Sequence, residues 1–299
     1  MVVIDYILYI TYIIFAFIIR VMPTSIMKYI LLLLSKLVYI IDVRHRNIAF
    51  TNLDLAYKDT LNSKEKEIIV KNSYNNILFN LYEFVKTQNS TLEDMDNKIT
   101  LCNDKYILDA IKENKKIILV TAHYGGWELA IPYLSLKFRP ISVISKPIKN
   151  KYINKMFKKV RHAHNLEMFE KHGAAKKMLK ALKNDRIIAM AIDQSISKKD
   201  AVVVNFFGHK VTQTDSPVRL ASKLGAVVIP FILERDGFEK HKAIFYEPIK
   251  PKKDLTEDEI VQYSQNISDI FESQIKDKPN DWFWQHRRWK AFYKKIYNK

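Results

Sequence analysis

The chain has 299 residues, 48% of them hydrophobic and 27% charged, which is enough apolar material for a sizeable core and excludes disorder as the main state. A mean hydropathy of −0.17 excludes a polytopic membrane protein, and the single cysteine, Cys102, excludes an internal disulfide framework or a multi-cysteine zinc site. Lys and Arg outnumber Asp and Glu by 49 to 32, a net charge of +17, which favours anionic partners: lipid head groups, phosphorylated substrates, acidic proteins or nucleic acid.

The first element, Val2 to Val21, reads VVIDYILYITYIIFAFIIRV. Its uncharged part, Tyr6 to Ile19, makes only about 21 Å of helix against a hydrocarbon core of ~30 Å. It spans a bilayer only if Val2 to Ile4 join it and Asp5 and Arg20 reach for the interfaces. Arg20, Lys28, Lys36, Arg44 and Arg46 follow, so the positive-inside rule assigns the bulk of the chain to the cytoplasm. No small-residue cleavage site follows, which argues against a removed signal peptide. A buried helix of a soluble protein is the alternative; the terminal position and the trailing cations favour an anchor. A second apolar stretch, residues 29–41, is interrupted by Lys36 and reads as an interfacial or core-packing helix. The expected organisation is an anchor over residues 1–22, an interfacial helical connection over 23–60 and one globular domain over 61–299.

Residues 64–86 carry apolar side chains at a helical period. Short β-rich runs then alternate with helical ones. Ile117 to Val120 (IILV), Ile141 to Ile144 (ISVI), Ile187 to Ile192 (IIAMAI), Ala201 to Phe207 (AVVVNFF) and Ala226 to Leu233 (AVVIPFIL) read as strands, with Ala243 to Tyr246 a weaker candidate. Residues 127–136, 151–164, 174–183, 215–224 and 257–275 read as helices. Buried strands alternating with helices predict an α/β fold, with a central, mostly parallel or mixed sheet flanked by helices.

The stretch richest in chemistry is IILVTAHYGGWELA, Ile117 to Ala130. A buried strand runs into His123, then Gly125 and Gly126, then a helix with Glu128 in its first turn. On one helix, five positions turn through roughly 500°, about 140° off the same face, so the two side chains would not meet. A Gly-Gly turn between strand and helix removes that obstacle, because glycine accepts positive φ, and it would also admit a substrate close to the backbone. The helix N-terminus beside it favours negative charge. A histidine with a carboxylate partner suits general-base work: the carboxylate holds one ring nitrogen protonated and leaves the other free to take a proton. No serine or cysteine adjoins His123, which favours direct deprotonation of a substrate hydroxyl over a covalent relay. The spacing is not that of a HExxH zinc site, and no metal or organic cofactor is expected. A strand-end histidine and a first-turn acid without catalytic roles remain the bland alternative.

AHYGGWELA resembles the His-x4-Asp/Glu motif of the glycerolipid acyltransferase superfamily, and its Gly-Gly-Trp-Glu is particularly like that of the late (secondary) acyltransferases of lipid A biosynthesis. RNIAFTNLDLAY (Arg46 to Tyr57), Ile192-Asp193-Gln194, FFG with TQTDSPVRLASKLGAVVIP (Phe206 to Pro230) and PNDWFWQHRRWK (Pro279 to Lys290) resemble further segments of that family, in order along the chain. The resemblance implies an O-acyltransferase at the cytoplasmic face of the inner membrane. It would move a fatty acyl chain from acyl carrier protein to a hydroxyl of a phosphorylated lipid A precursor, with no acyl-enzyme. His123 would be the base, Glu128 would orient its imidazole, and Asp193 would support the site or merely cap a turn. The family's arginine before the Ala-rich helix has no clear counterpart here; Lys171 stands nearby and supplies charge without a bidentate fork.

Residues 137–186 hold fifteen Lys or Arg against three acids. That charge would complement acyl carrier protein, the acceptor's phosphates or an anionic membrane at ~1 kcal/mol per basic residue near the surface. Arg219 is a further candidate for an anionic group or an ordinary surface arginine. Arg287 and Arg288 stand among Trp282, Trp284 and Trp289, a pattern of nucleic-acid stacking or of a membrane-interface belt; the anchor and the resemblance favour the belt, and no nucleic-acid partner is expected. His162, His164 and His172 read as surface residues. Two rival functions stand beside the first: an acyltransferase using another glycolipid or phospholipid, or acyl-CoA as donor, and a non-catalytic basic protein that binds membranes or nucleic acid.

Overall fold

A computed structural model of the chain describes residues 2–88, 90–145, 149–170 and 173–298. Lys171 and His172 therefore lie outside the described residues. Two helices open the chain, α1 (Val2–Val21) and α2 (Thr24–Ile41), followed by α3 (Val43–Tyr57), α4 (Ser63–Thr87) and the short α5 (Leu92–Asp96). Then β1 (Ile99–Cys102), α6 (Lys105–Lys112), β2 (Ile117–Thr121), α7 (Trp127–Lys137), β3 (Ile141–Ile144), α8 (Lys151–Ala163), β4 (Leu166–Phe169), α9 (Ala174–Lys183) and β5 (Ile187–Ala191) alternate. The chain closes with the hairpin β6 (Val202–Phe206) and β7 (His209–Gln213), α10 (Ser216–Leu224), β8 (Val227–Arg235), β9 (His241–Phe245) and α11 (Glu257–Asp277).

Among the described residues one seven-stranded sheet has the order β1-β9-β8-β2-β5-β3-β4. Every neighbouring pair is parallel except β8 and β9, so the sheet is mostly parallel, as expected. β2 lies at its centre and is buried along its whole length. Successive side chains of a strand point to opposite faces. Ile118 and Val120 enter a core built with α4, α9, α10 and α11, while Ile117 and Leu119 enter a second core under α6 and α7. This two-sided burial is why β2 reads as a continuous apolar run rather than an alternating one.

α4 is the long strut behind the site. Its start is fixed by a capping box, with the Asn62 side chain accepting from the Lys64 and Glu65 N–H groups and Glu65 reaching back to the Asn62 N–H. Ala16 and Ile19 of α1 and Met27 and Leu31 of α2 pack on its Phe79, Tyr82 and Val85. The opposite faces of both helices are bare: Ile7, Leu8, Ile14, Phe17, Tyr29, Leu33, Ile40 and Ile41 are exposed. Both are long and apolar enough to cross a membrane, and an apolar surface of this extent calls for a nonaqueous neighbour. The second helix is nearly as long and apolar as the first, and Lys28 and Lys36 do not interrupt it. Nor does packing break near residue 60. α3 buries Ile48, Ala49, Asn52 and Leu53, and Asn52 donates to the carbonyls of Trp284 and His286, so α3 belongs to the globular core.

Candidate active site

β2 delivers the chain to His123 at the carboxyl end of the central strand, where parallel α/β sheets characteristically carry their sites. The next residues turn back sharply. Gly125 has φ +56°, and a Cβ there would stand 1.9 Å from the Leu233 carbonyl oxygen; at Gly126 a Cβ would stand 2.6 Å from His241 Nε2. Both glycines are therefore required by the approach of β8 and β9. At these positions the close approach is made by the protein's own strands. Their N–H groups are also committed, Gly125 to the Asp281 carbonyl at 2.9 Å and Gly126 to that of Leu233 at 2.8 Å.

A buried polar network clamps this turn. Asn76 and Asn80 of α4 donate to the Gly125 carbonyl at 3.1 and 2.7 Å. Arg235 donates to both carboxylate oxygens of Glu83 at 2.5 and 2.7 Å and to Asn76 at 2.7 Å. His241 Nε2 lies 3.1 Å from the same carboxylate. Burial alone would raise the Glu83 pKa, but the charges of Arg235 and His241 outweigh it and bring the group down to about 2.

The imidazole is held by Asp193. His123 Nδ1 lies 2.8 Å from Asp193 Oδ1, and the His123 backbone N–H donates to Asp193 Oδ2 at 2.9 Å. Trp282 Nε1 adds a third bond, to Oδ2 at 3.0 Å. Burial opposes ionisation of Asp193, yet His123 and these donors hold its carboxyl well below the usual carboxylate range. Burial likewise disfavours a charged His123; the Asp193 charge and hydrogen bond, with the charge of Glu128, override it and raise the pKa. An ionised Asp193 fixes the Nδ1–H tautomer and leaves Nε2 to accept a proton. Gln194 Nε2 stands 3.4 Å from that nitrogen.

Glu128 lines the same cavity as His123 but does not take Nδ1, which corrects the expected pairing. Its own pKa is raised by burial, against the charges of Arg161 and His123. The two acids thus act on the ring differently: Asp193 is hydrogen-bonded to it, and Glu128 acts through its charge. Trp127 and Phe283 close the aromatic side, with centroids 5.9 and 6.3 Å from the His123 ring.

The cavity measures about 220 Å³. Beyond His123, Glu128 and Arg161 its wall is largely apolar, with Phe84, Ile131, Pro132, Val143, Val160, Leu166 and Met168 among the lining residues. Thr87, Gln88, Thr121 and His164 add polar groups to this slot, which lies among α4, the sheet, α7 and α8. His164, expected at the surface, is buried and lines the slot; burial lowers its pKa.

The family model for bacterial lipid A biosynthesis acyltransferases matches residues 1–291. The chain belongs to that family. It is 27% identical over 253 residues to the lipid A biosynthesis acyltransferase of Haemophilus influenzae, covering 83% of this chain and 78% of the relative. It is 21% identical over 192 residues to a phosphatidylinositol mannoside acyltransferase of Mycolicibacterium smegmatis, a match spanning 62% of this chain and 60% of that relative's length. Among solved structures, the 1-acyl-sn-glycerophosphate acyltransferase of Thermotoga maritima aligns with a TM-score of 0.41 and 15% identity, covering 86% of this chain and 100% of that one.

The remaining candidates from sequence fall in different places. Arg219 is bound to Asp215 and Glu257 on the surface, and neither it nor those acids lines the cavity. Arg288 is buried and donates to the Thr212 carbonyl at 2.6 Å, which makes it a structural arginine rather than a substrate contact. Trp282, Trp284 and Trp289 are buried and packed on one another, so the expected membrane-interface belt is in fact core. Arg287 stays partly exposed over the Tyr297 ring. Three contributors escaped sequence reasoning. Arg161 is one cation among fifteen in its region, and Trp127 and Gln194 carry no signal apart from the motifs that contain them.

Proposed function

We propose that this chain is a membrane-associated O-acyltransferase that moves a fatty acyl chain from the thioester of acyl carrier protein to a hydroxyl of a lipid A precursor. One observation carries the reading: a histidine with its Nδ1 fixed by a buried carboxylate lines a largely apolar cavity. In the proposed reaction the acyl chain occupies the slot and presents its thioester carbonyl to His123. Nε2 takes the proton of the acceptor hydroxyl as the oxygen attacks that carbonyl. The imidazolium is stabilised by the hydrogen-bonded Asp193 and by the charge of Glu128. Collapse of the tetrahedral intermediate breaks the C–S bond, and the departing thiolate recovers the proton from His123. An ester and a thiol result, with no covalent enzyme intermediate.

Acyl carrier protein is the proposed donor because α8 and its flanks are strongly basic. The exposed apolar faces of α1 and α2 support residence in the inner membrane, and the cations that follow them favour a cytoplasmic site. A second reading keeps the chemistry and changes the acceptor to another glycolipid, since the relatives include phosphatidylinositol mannoside acyltransferases.

The test is acyl transfer by the detergent-solubilised full chain, with acyl carrier protein thioester and a lipid A precursor, read by mass spectrometry. A product heavier by one acyl group, absent with His123→Ala, supports the first reading. Transfer only to other acceptors in the same panel selects the second. Turnover by His123→Ala near the wild-type rate overturns the mechanism.

A further inference from the structure

Past Asp193 the chain leaves the sheet, and Ser195 opens onto a surface groove distinct from the acyl slot. Its first part, about 370 Å³, is lined by Ser195, Lys198, Arg287, Lys290, Lys294 and Tyr297, among others. A second part, about 340 Å³, shares Arg287 and Tyr297 and adds Arg44. No acidic side chain lines either part. Among the described residues none of these five cations forms an ion pair. Elsewhere on the surface Lys66, Lys137, Arg219 and Lys252 all have carboxylate partners. Like charges gathered without counter-charge repel one another unless an anion joins them.

The groove is also tied to the base. Ser195 donates its backbone N–H to His286 Nε2 at 3.1 Å. Burial pushes the His286 pKa down to about 4, with the charges of Lys290 and Arg288 adding to it against that of Asp193, so His286 is a neutral acceptor near pH 7. The segment that holds Asp193 against His123 thus continues directly into the groove floor.

We propose that this groove receives a phosphate monoester of the glycolipid acceptor, whose hydroxyl then reaches His123. A monoester carries about −1.5 to −2 charges near pH 7 and three acceptor oxygens, which suits three ammonium and two guanidinium groups better than the single charge of a phosphodiester. The inference rests on the proposed reaction for the identity of the acceptor, and it assigns that acceptor a charged handle outside the acyl slot.

The experiment measures equilibrium binding to the full chain in neutral-detergent micelles. Three probes are used: a lipid A precursor bearing its phosphate monoester, the same lipid after phosphatase treatment, and phosphatidylglycerol. Removing the phosphate should weaken binding to the wild type by roughly tenfold to a hundredfold. The triple variant Arg287→Gln, Lys290→Gln, Lys294→Gln should bind both forms equally weakly, and phosphatidylglycerol should not compete. The double variant Lys290→Gln, Lys294→Gln leaves Arg287 on Tyr297 and should lose part of the preference even if the triple variant folds poorly. A phosphate preference that survives these substitutions overturns the proposal. So does a wild type that does not distinguish the two lipids, or phosphatidylglycerol competing on equal terms, which would make the groove a reader of membrane head groups. Binding needs no turnover. A chain that shows the preference but transfers no acyl group refutes the proposed reaction alone; one that transfers acyl groups equally to both lipids refutes the groove alone.

Discussion

Asp193 Oδ1 lies 2.8 Å from His123 Nδ1 across a separation of 70 residues, and this contact decides which ring nitrogen is free. It forms because β2 and β5 are parallel neighbours with Thr121 opposite Ala191, so the residues leaving their carboxyl ends emerge side by side. The Ile192 N–H donates to the Thr121 carbonyl at 3.0 Å, which holds the two exits together.

Asp193→Asn should lower the rate by ~10²–10⁴, the range for a displaced general base. It should also move the pH profile. The base works when neutral, so activity rises with pH through the His123 pKa, which in the wild type is raised above the ordinary value of about 6.5. Removing the Asp193 charge leaves burial dominant, and the acid limb should shift to lower pH. Imidazole ¹⁵N spectra should lose the Nδ1–H signature in Asp193→Asn and keep it in Glu128→Gln. The reverse pattern would return the orienting role to Glu128.

The legible parts of the fold were those with one strong local signal. β2, β5 and β8 are apolar runs buried on both faces, and α11 shows its stripe and its Thr256–Glu259 capping box. β1 and β4 escaped because each is four residues of mixed polarity at a sheet edge, too short for a period to register. Sequence points to Glu128 because it shows near neighbours, whereas strand adjacency, which joins Asp193 to His123, is a tertiary fact. The C-terminal tryptophans misled for a related reason. Aromatics beside arginine have the same composition at a membrane interface as in a core, and only the burial of Arg288 against the Thr212 carbonyl separates the two.

The apolar slot predicts chain selection. Val143 of β3 lines it two strands away from β2. Val143→Phe should fill part of the slot and shift the acyl donor preference to shorter chains. Each methylene denied burial forfeits ~0.8 kcal/mol, about fourfold in specificity. Competition among acyl carrier protein thioesters of graded length, read as product masses, checks this. An unchanged distribution would move the acyl chain elsewhere.

The two glycines differ from the others in what surrounds them. Gly125→Ala meets both a left-handed φ of +56° and the Leu233 carbonyl, so the turn cannot keep its shape. Gly225→Ala has a similar φ of +63° and nothing within 4 Å, so it should cost only ~1–2 kcal/mol. Thermal unfolding of the two variants should separate them clearly, and acyl transfer should disappear in Gly125→Ala alone.

Glu83 and Arg235 make the acid sensitivity of the fold specific. The folded-state pKa of Glu83 is depressed to about 2, against an ordinary unfolded value near 4.3. A depressed carboxylate contributes stability that is complete above the unfolded pKa and is lost as pH falls through the folded one. The wild type should therefore lose stability progressively from about pH 5 down to about pH 2. Glu83→Gln should remove that dependence and, by stranding the buried Arg235 guanidinium, should cost ~3–5 kcal/mol at neutral pH. Because Arg235 also donates to Asn76, which holds the Gly125 carbonyl, the loss should reach the His123 turn and lower activity before global unfolding. Replacing both partners, as in Glu83→Leu with Arg235→Met, should recover part of the stability, since the guanidinium is no longer stranded while buried His241 still loses its carboxylate neighbour. Denaturant melts at pH 7 and pH 4 decide it: a double variant as unstable as Glu83→Gln would show that the pair is needed for its shape rather than for its charge balance.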